Sequence, residues 1–235
     1  MAKSKIAYVC NDCGAEYGQW QGQCSACKAW NTLSKVQLGK SSSSPATNAD
    51  FRRDGYAGAT SDVQTLANID LDALPRYSSS IGELDRVLGG GLVPGSVILV
   101  GGNPGAGKST VLLQIMCNLS ATGKKALYVT GEESLQQVGM RAKRLKLPEQ
   151  HLKMFAETNV EKICEAAQEH KPEIFVVDSI QVMHSSEVPS APGSVSQVRE
   201  SAAYLIQYAK QTNTVLILVG HVTKEGNLAG PKVLE

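Results

Sequence analysis

Apolar residues along the chain fall into two rhythms. Short unbroken runs, Val97–Val100, Ala126–Thr130, Ile174–Asp178 and Val215–His221, have the length of strands buried on both faces. Between them, apolar residues recur at three- and four-residue spacing, which predicts helices. One runs from about Lys108 to Ala121 and carries Val111, Leu112, Leu113, Ile115, Met116 and Leu119; a second carries Val160, Ile163, Cys164 and Ala167; a third carries Val198, Ala202, Leu205, Ile206 and Ala209. Ser80-x-x-Glu83, Thr158-x-x-Glu161 and Ser194-x-x-Gln197 have the spacing of capping boxes, the first ahead of a short helix with Ile81, Leu84, Val87 and Leu88 on one side. Strands alternating with helices predict an α/β fold with a mostly parallel sheet and ligands at the carboxyl ends of its strands.

This rhythm starts near Val63. Before it, "GKSSSSPATNADFRRDGYAGATSD" has almost no apolar periodicity and reads as a flexible tether. The predicted organisation is a small module at 1–33, a linker at 34–62 and the α/β domain at 63–235. Net charge is +1, with seven basic and four acidic residues in positions 1–60 and sixteen against eighteen afterwards, so a polyanion would be met by local patches. The opening MAKSKIAYV has no apolar stretch of a secretory signal, and no run is long and apolar enough for a membrane span; the expectation is a cytoplasmic protein without a membrane partner.

In a reducing compartment six unevenly spaced cysteines do not suggest a disulfide framework. Cys10, Cys13, Cys24 and Cys27 form C-x2-C-x10-C-x2-C, which lets two tight turns offer four thiolates to one tetrahedral ion. Structural zinc is the expected occupant, and so short a module would draw most of its folding free energy from it. A redox CxxC pair and an iron–sulfur centre are the alternatives, the first lacking its βαβ setting. Four thiolates leave no open position, so the metal is not expected to be catalytic. Trp20 and Trp30 flank the second pair, placed to cover the metal site or to stack on a base, with packing the expected role. Cys117 and Cys164 fall on apolar helix faces and read as core.

The densest chemical signal is "VILVGGNPGAGKST", an apolar strand, a loop matching G-x4-G-K-[ST], and a helix. Gly102, Asn103, Pro104, Gly105, Ala106 and Gly107 would curl so that backbone N–H groups point at phosphate, with the helix N-terminus behind them. Lys108 is expected to reach the β and γ phosphates of ATP, Ser109 to hold magnesium, and Thr110 to complete the binding segment. The other strand ends are polar too. Asp178 closes "IFVVD" and is suited to the magnesium shell through water. Glu132, after "LYVTG", is the expected base for the attacking water; Glu133 would assist it or begin the next helix. His221 either senses the γ-phosphate or is an ordinary strand-end histidine, whereas His151, His170 and His184 read as surface.

Through "CNDCG", "WQGQCSAC", "ELDRVLGGGLVPGS", "GGNPGAGKST", "YVTGEES" and "VVDSIQ" the chain resembles the bacterial RadA (Sms) family of DNA repair proteins. That resemblance implies a RecA-like P-loop NTPase core with an N-terminal zinc finger, driven by ATP on single-stranded DNA and acting in recombinational repair by branch migration. By the same resemblance, Lys108 and Ser109 match the Walker A residues, Asp178 the Walker B aspartate, Glu132 the catalytic glutamate, and the four cysteines the zinc ligands. A homo-hexameric ring, branched recombination intermediates, and a recombinase or replicative helicase are the implied partners. The family's KNRFG motif and Lon-protease-like domain have no counterpart in residues 1–235. The loop 184–197 faces DNA in RecA-like proteins, and 223–232, with Lys224 and Lys232, is a second candidate. Arg141, Lys143, Arg144 and Lys146 form a basic stretch whose default reading is a solvated helix face. An alternative function is a nucleotide-gated adaptor whose zinc finger recruits a replication or repair protein.

Overall fold

The computed structural model describes residues 5–10, 14–38, 65 and 75–221. In the second and larger part, the strands β4 (Val97–Gly102), β5 (Ala126–Thr130), β6 (Lys153–Ala156), β7 (Ile174–Asp178) and β8 (Val215–His221) form a parallel sheet in the order β4-β8-β7-β5-β6. The helices are α1 (Gly82–Val87), α2 (Lys108–Ala121), α3 (Leu135–Arg144), α4 (Val160–His170) and α5 (Val195–Thr212).

Every central strand is apolar on both sides because each side meets helices. Leu127, Val129, Phe175, Val177, Leu216 and Leu218 face α4 and α5, in a core with Ile163, Val198, Leu205 and Tyr208. Their alternating neighbours Ala126, Tyr128, Ile174, Val176, Val215 and Ile217 face α2 and α3 with Leu113, Met116 and Val138. Period-two alternation inside an all-apolar run thus yields a helix–sheet–helix sandwich. Phe175 and Tyr208 meet edge to face at 5.8 Å, and Cys117 and Cys164 are buried as expected. The expected fold class is the one found. The short edge strand β6 had no periodic signal to announce it.

The helix starts depart from the sequence pattern. Ser80 has φ +66 and lies outside α1, whose N-cap is Ile81; Asp85 instead accepts from Ser78 Oγ and Ser79 N, and Glu83 pairs with Arg86. Ile81, Leu84 and Leu88 pack inward, but Val87 is exposed. Asn159, not Thr158, caps α4 by accepting from Lys162 N, because Glu161 is drawn away to Ser185 Oγ. Ser194 does cap α5, while Gln197 turns back to bind Ser185, Val188 and Ser190. The complete capping box is Ser134 with Gln137 on α3.

The first part is a three-stranded antiparallel sheet, β1 (Lys5–Cys10), β2 (Glu16–Tyr17) and β3 (Leu33–Leu38), in the order β2-β1-β3. Among the described residues, no helix is long and apolar enough to cross a membrane.

The approach to β4 leaves no room for a side chain at Gly91. Gly91 has φ +125, and a Cβ there would lie 2.7 Å from the Tyr77 carbonyl oxygen, beside the Tyr77–Leu92 bridge. Gly91→Ala is expected to destabilise the domain by about 2–3 kcal/mol, measured by urea denaturation of otherwise identical proteins. An unchanged midpoint would show that the entry to β4 tolerates a side chain.

Candidate active site

Register brings the polar strand ends to one edge. Gly102 lies opposite His221 and Thr130 opposite Asp178, so the carboxyl ends of β4, β5, β7 and β8 gather there. The loop after β4 leads straight into α2. Among the described α-helices α2 alone has neither a side-chain cap nor an acid in its first turn. Its first N–H groups are therefore left for an external acceptor, with the positive end of the helix dipole behind them. Gly105 and Gly107 have φ +79 and +88, and a Cβ on either would meet no protein atom within 4 Å; their glycine identity answers to backbone conformation alone. Pro104 and Ala106 complete the turn, Ala106 N donating to Asn103 O.

Lys108 folds back over this loop. Its Nζ donates to the carbonyls of Gly102 and Asn103 at 2.7 and 2.9 Å, with its stem lying across Gly102 where a Cβ would touch Lys108 Cδ at 3.4 Å. Ser109 and Thr110 occupy the first turn of α2. An uncapped helix start, a mobile ammonium and a hydroxyl make a fit for a polyphosphate and its cation.

Asp178 is nearly buried, and its Oδ2 accepts from Tyr128 Oη at 2.6 Å. Burial and the adjacent carboxylate hold the Tyr128 phenol far above its ordinary pKa, so it stays a donor. Beside them Glu132 Oε1 accepts from Ser179 Oγ and lies 3.0 Å from His221 Nε2. Burial works against ionisation of Glu132, but the Ser179 hydroxyl, His221 and the Lys108 charge together outweigh it and hold the carboxyl below its usual range. Among the described residues, His221 Nδ1 is buried without a partner. His221 is thus a neighbour of Glu132, not an isolated strand-end histidine.

Glu133 takes a different course. It pairs with Arg141 of α3, which leaves the basic stretch as Lys143, Arg144 and Lys146 on an exposed face and removes Arg141 from it. Ser185 in the 184–197 loop is buried, its hydroxyl committed to Glu161, so that loop is a folded structure pinned by Gln197. The 223–232 candidate lies outside the described residues. Sequence reading assigns no role to Tyr128 or Ser179, and it places Arg141 on a solvated helix face rather than beside Glu133. Ser179 was signalled by adjacency to Asp178, but Tyr128 reads as any core aromatic and Arg141 as any surface base.

In the smaller part the Sγ atoms of Cys10, Cys24 and Cys27 lie within 4.8 Å of one another, Cys10 and Cys27 at 3.7 Å. Metal–sulfur bonds of 2.3 Å in a tetrahedron set sulfur atoms about 3.8 Å apart, so the cluster fits zinc. Thr32 Oγ1 and Tyr17 Oη lie 3.2 Å from the Cys10 and Cys24 sulfurs, hydroxyls able to donate to thiolates. Cys13 lies outside the described residues. Trp20 and Trp30 do not cover this site; both are exposed, against the expectation that they pack on it.

A family model described as "AAA domain" matches residues 68–227, and one described as "Rubredoxin metal binding domain" matches residues 8–35. Curated relatives named DNA repair protein RadA, from Haemophilus influenzae, Escherichia coli and Bacillus subtilis, are 63%, 59% and 44% identical across 100% of this chain. They bear out the resemblance read from the motifs. The chain covers 51%, 51% and 50% of those three relatives, about half the length of each.

Dialysis of the zinc-loaded protein against a chelator is expected to unfold the small module while the parallel sheet stays folded. The readout is amide hydrogen exchange in β1, β2 and β3, set against exchange in the parallel sheet. Exchange in the three small strands indifferent to metal removal would rule out a structural zinc.

Proposed function

Because this chain belongs to the AAA domain family, we propose that it is the ATP-hydrolysing core of a DNA repair protein that acts on single-stranded DNA and on branched recombination intermediates. The observation that carries the reading is the convergence of Lys108, Glu132 and Asp178 at one sheet edge beside the uncapped start of α2. In this reading ATP lays its phosphates along the amides from Gly102 to Thr110. Lys108 exchanges the carbonyls of Gly102 and Asn103 for phosphate oxygens. Ser109 and Asp178 would hold magnesium, Asp178 with Oδ2 already engaged by Tyr128. Magnesium, when bound, neutralises charge developing on the transferred phosphoryl group.

Glu132 orients the attacking water and takes its proton. Its Oε1 is shared by Ser179 and His221, so the carboxylate is aimed before substrate arrives. His221 adds a link from the end of β8 to that base, a route by which the γ-phosphate and the segment after β8 sense each other. Coupling of turnover to movement on DNA, assembly of a homo-hexameric ring, and contacts with a recombinase or replicative helicase complete the proposal; the relatives' name, DNA repair protein RadA, supports its repair role. A DNA repair role also fits a cytoplasmic location.

Lys108→Ala is expected to lower ATP turnover by at least about a hundredfold and to abolish its stimulation by single-stranded DNA. The assay compares both proteins as this chain and as the same sequence continued to the length of its relatives; equal turnover would refute the assignment.

The native surroundings keep Glu132 ionised at lower pH than in the unfolded chain. The associated stabilisation is therefore present above the unfolded carboxyl's pKa and lost as pH falls through the folded one. Ser179→Ala removes a group that lowers that pKa, so the acid limb of the turnover profile should move to higher pH. An unmoved acid limb with a reduced plateau would mean that Glu132 is not the titrating base.

A further inference from the structure

The only two tryptophans of the chain, Trp20 and Trp30, lie in the small module, and neither joins its core. Tyr8, Ala15, Tyr17 and Leu33 pack around Cys10 and Cys24, while the two indoles remain 57% and 69% exposed. A protein this short of apolar surface in the module would gain by burying either ring, each of which carries roughly 150–250 Å². Instead the rings flank one bare α-carbon. A methyl group at Gly22 would lie 3.7 Å from Trp30 Cζ3 and 3.9 Å from Trp20 Cη2.

The backbone that presents them is tied down. Gln23 bridges Trp30, Asn31 N donates to Gly22 O at 2.7 Å, and Cys24 and Ala29 close the metal-bearing turn at 2.8 Å. Rigid, preformed aromatic faces lose little freedom when a flat ligand covers them. The neighbours narrow that ligand further. No acidic residue occurs in the sequence between Glu16 and Asp50, Gln19, Lys28 and Asn31 are exposed, and Gln21 and Gln23 donate to Ser25 Oγ and the Lys28 carbonyl. Exposed indole faces, with polar amides and the Lys28 ammonium close by in the sequence, have the make-up of a surface that binds unpaired bases.

We propose that Trp20 and Trp30 form a stacking platform for unpaired bases of single-stranded DNA, apart from the nucleotide site. This rests on the reading of the chain as a protein acting on single-stranded DNA, and gives that strand a place on the metal module. Stacking carries the contact: four thiolates around a dication leave a negative cluster, so Lys28 offsets repulsion and affinity depends little on salt.

The test uses the zinc-loaded chain and an end-labelled oligothymidylate, read both by anisotropy of the label and by intrinsic tryptophan emission. The strand is expected to bind and quench that emission, and an abasic strand of equal length to leave it unquenched. Trp20→Ala and Trp30→Ala should each weaken binding at least about fivefold with zinc content retained, and Trp→Phe should recover part of the loss. Binding without quenching, or a Trp20→Ala/Trp30→Ala protein that keeps zinc and full affinity, overturns the platform and leaves the DNA reading standing. No binding of any strand overturns both. Quenching by a purified recombinase but by no strand assigns the surface to protein docking and equally overturns the proposal.

Discussion

The parallel sheet is buried on both faces, and that constraint governs where chemistry can occur. A strand such as Ile174–Asp178 can carry a carboxylate only where it leaves the sandwich, because a charge placed at Val176 or Val177 would sit unpaired in a dry interior. Parallel order then puts all the exits on one edge. The crossover from β4 through α2 adds the one further ingredient, a helix start whose N–H groups no side chain satisfies. Donors left unspent at that edge suit it to an anionic ligand.

At the edge the carboxylates are kept apart by their partners. Tyr128 engages Asp178 from within the core, Ser179 and His221 engage Glu132, and Arg141 draws Glu133 aside. Each pairing comes from a different element, so the separation of Asp178 from Glu132 depends on β5, β7, β8 and α3 keeping their relative positions. Gly131 makes this sensitive: a Cβ there would meet Val182 and Met183 side chains at 2.6 and 2.8 Å, directly before Glu132.

The metal module follows different physics. Its apolar cluster is too small to order three strands unaided, and the sulfur cluster takes the place that a larger core would fill. Freed from a packing duty, its two largest apolar side chains face outward, where the parallel sheet cannot reach a polymeric ligand through its buried faces.

How much was legible in advance divides along a physical line. Local order was: the four apolar strands, of which the edge strand β4 proves only partly buried, the α2 span, the phosphate loop and the cysteine spacing are set by contiguous residues, and a run such as "VILVGGNPGAGKST" has one good way to fold. Side-chain partners were not. Ser80, Thr158 and Gln197 each satisfied a local rule for capping, yet Asp85, Ser185 and the 185–190 backbone offered competing bonds that no window along the chain contains. Exposure was equally hidden, since a tryptophan beside a metal turn reads as packing until the neighbours that would cover it are known. By itself the sequence determined the elements and the chemistry at their ends. Tertiary structure alone decided which acid faces which donor and which rings stay bare, because hydrogen bonds and burial depend on distances across strands and helices far apart in the chain.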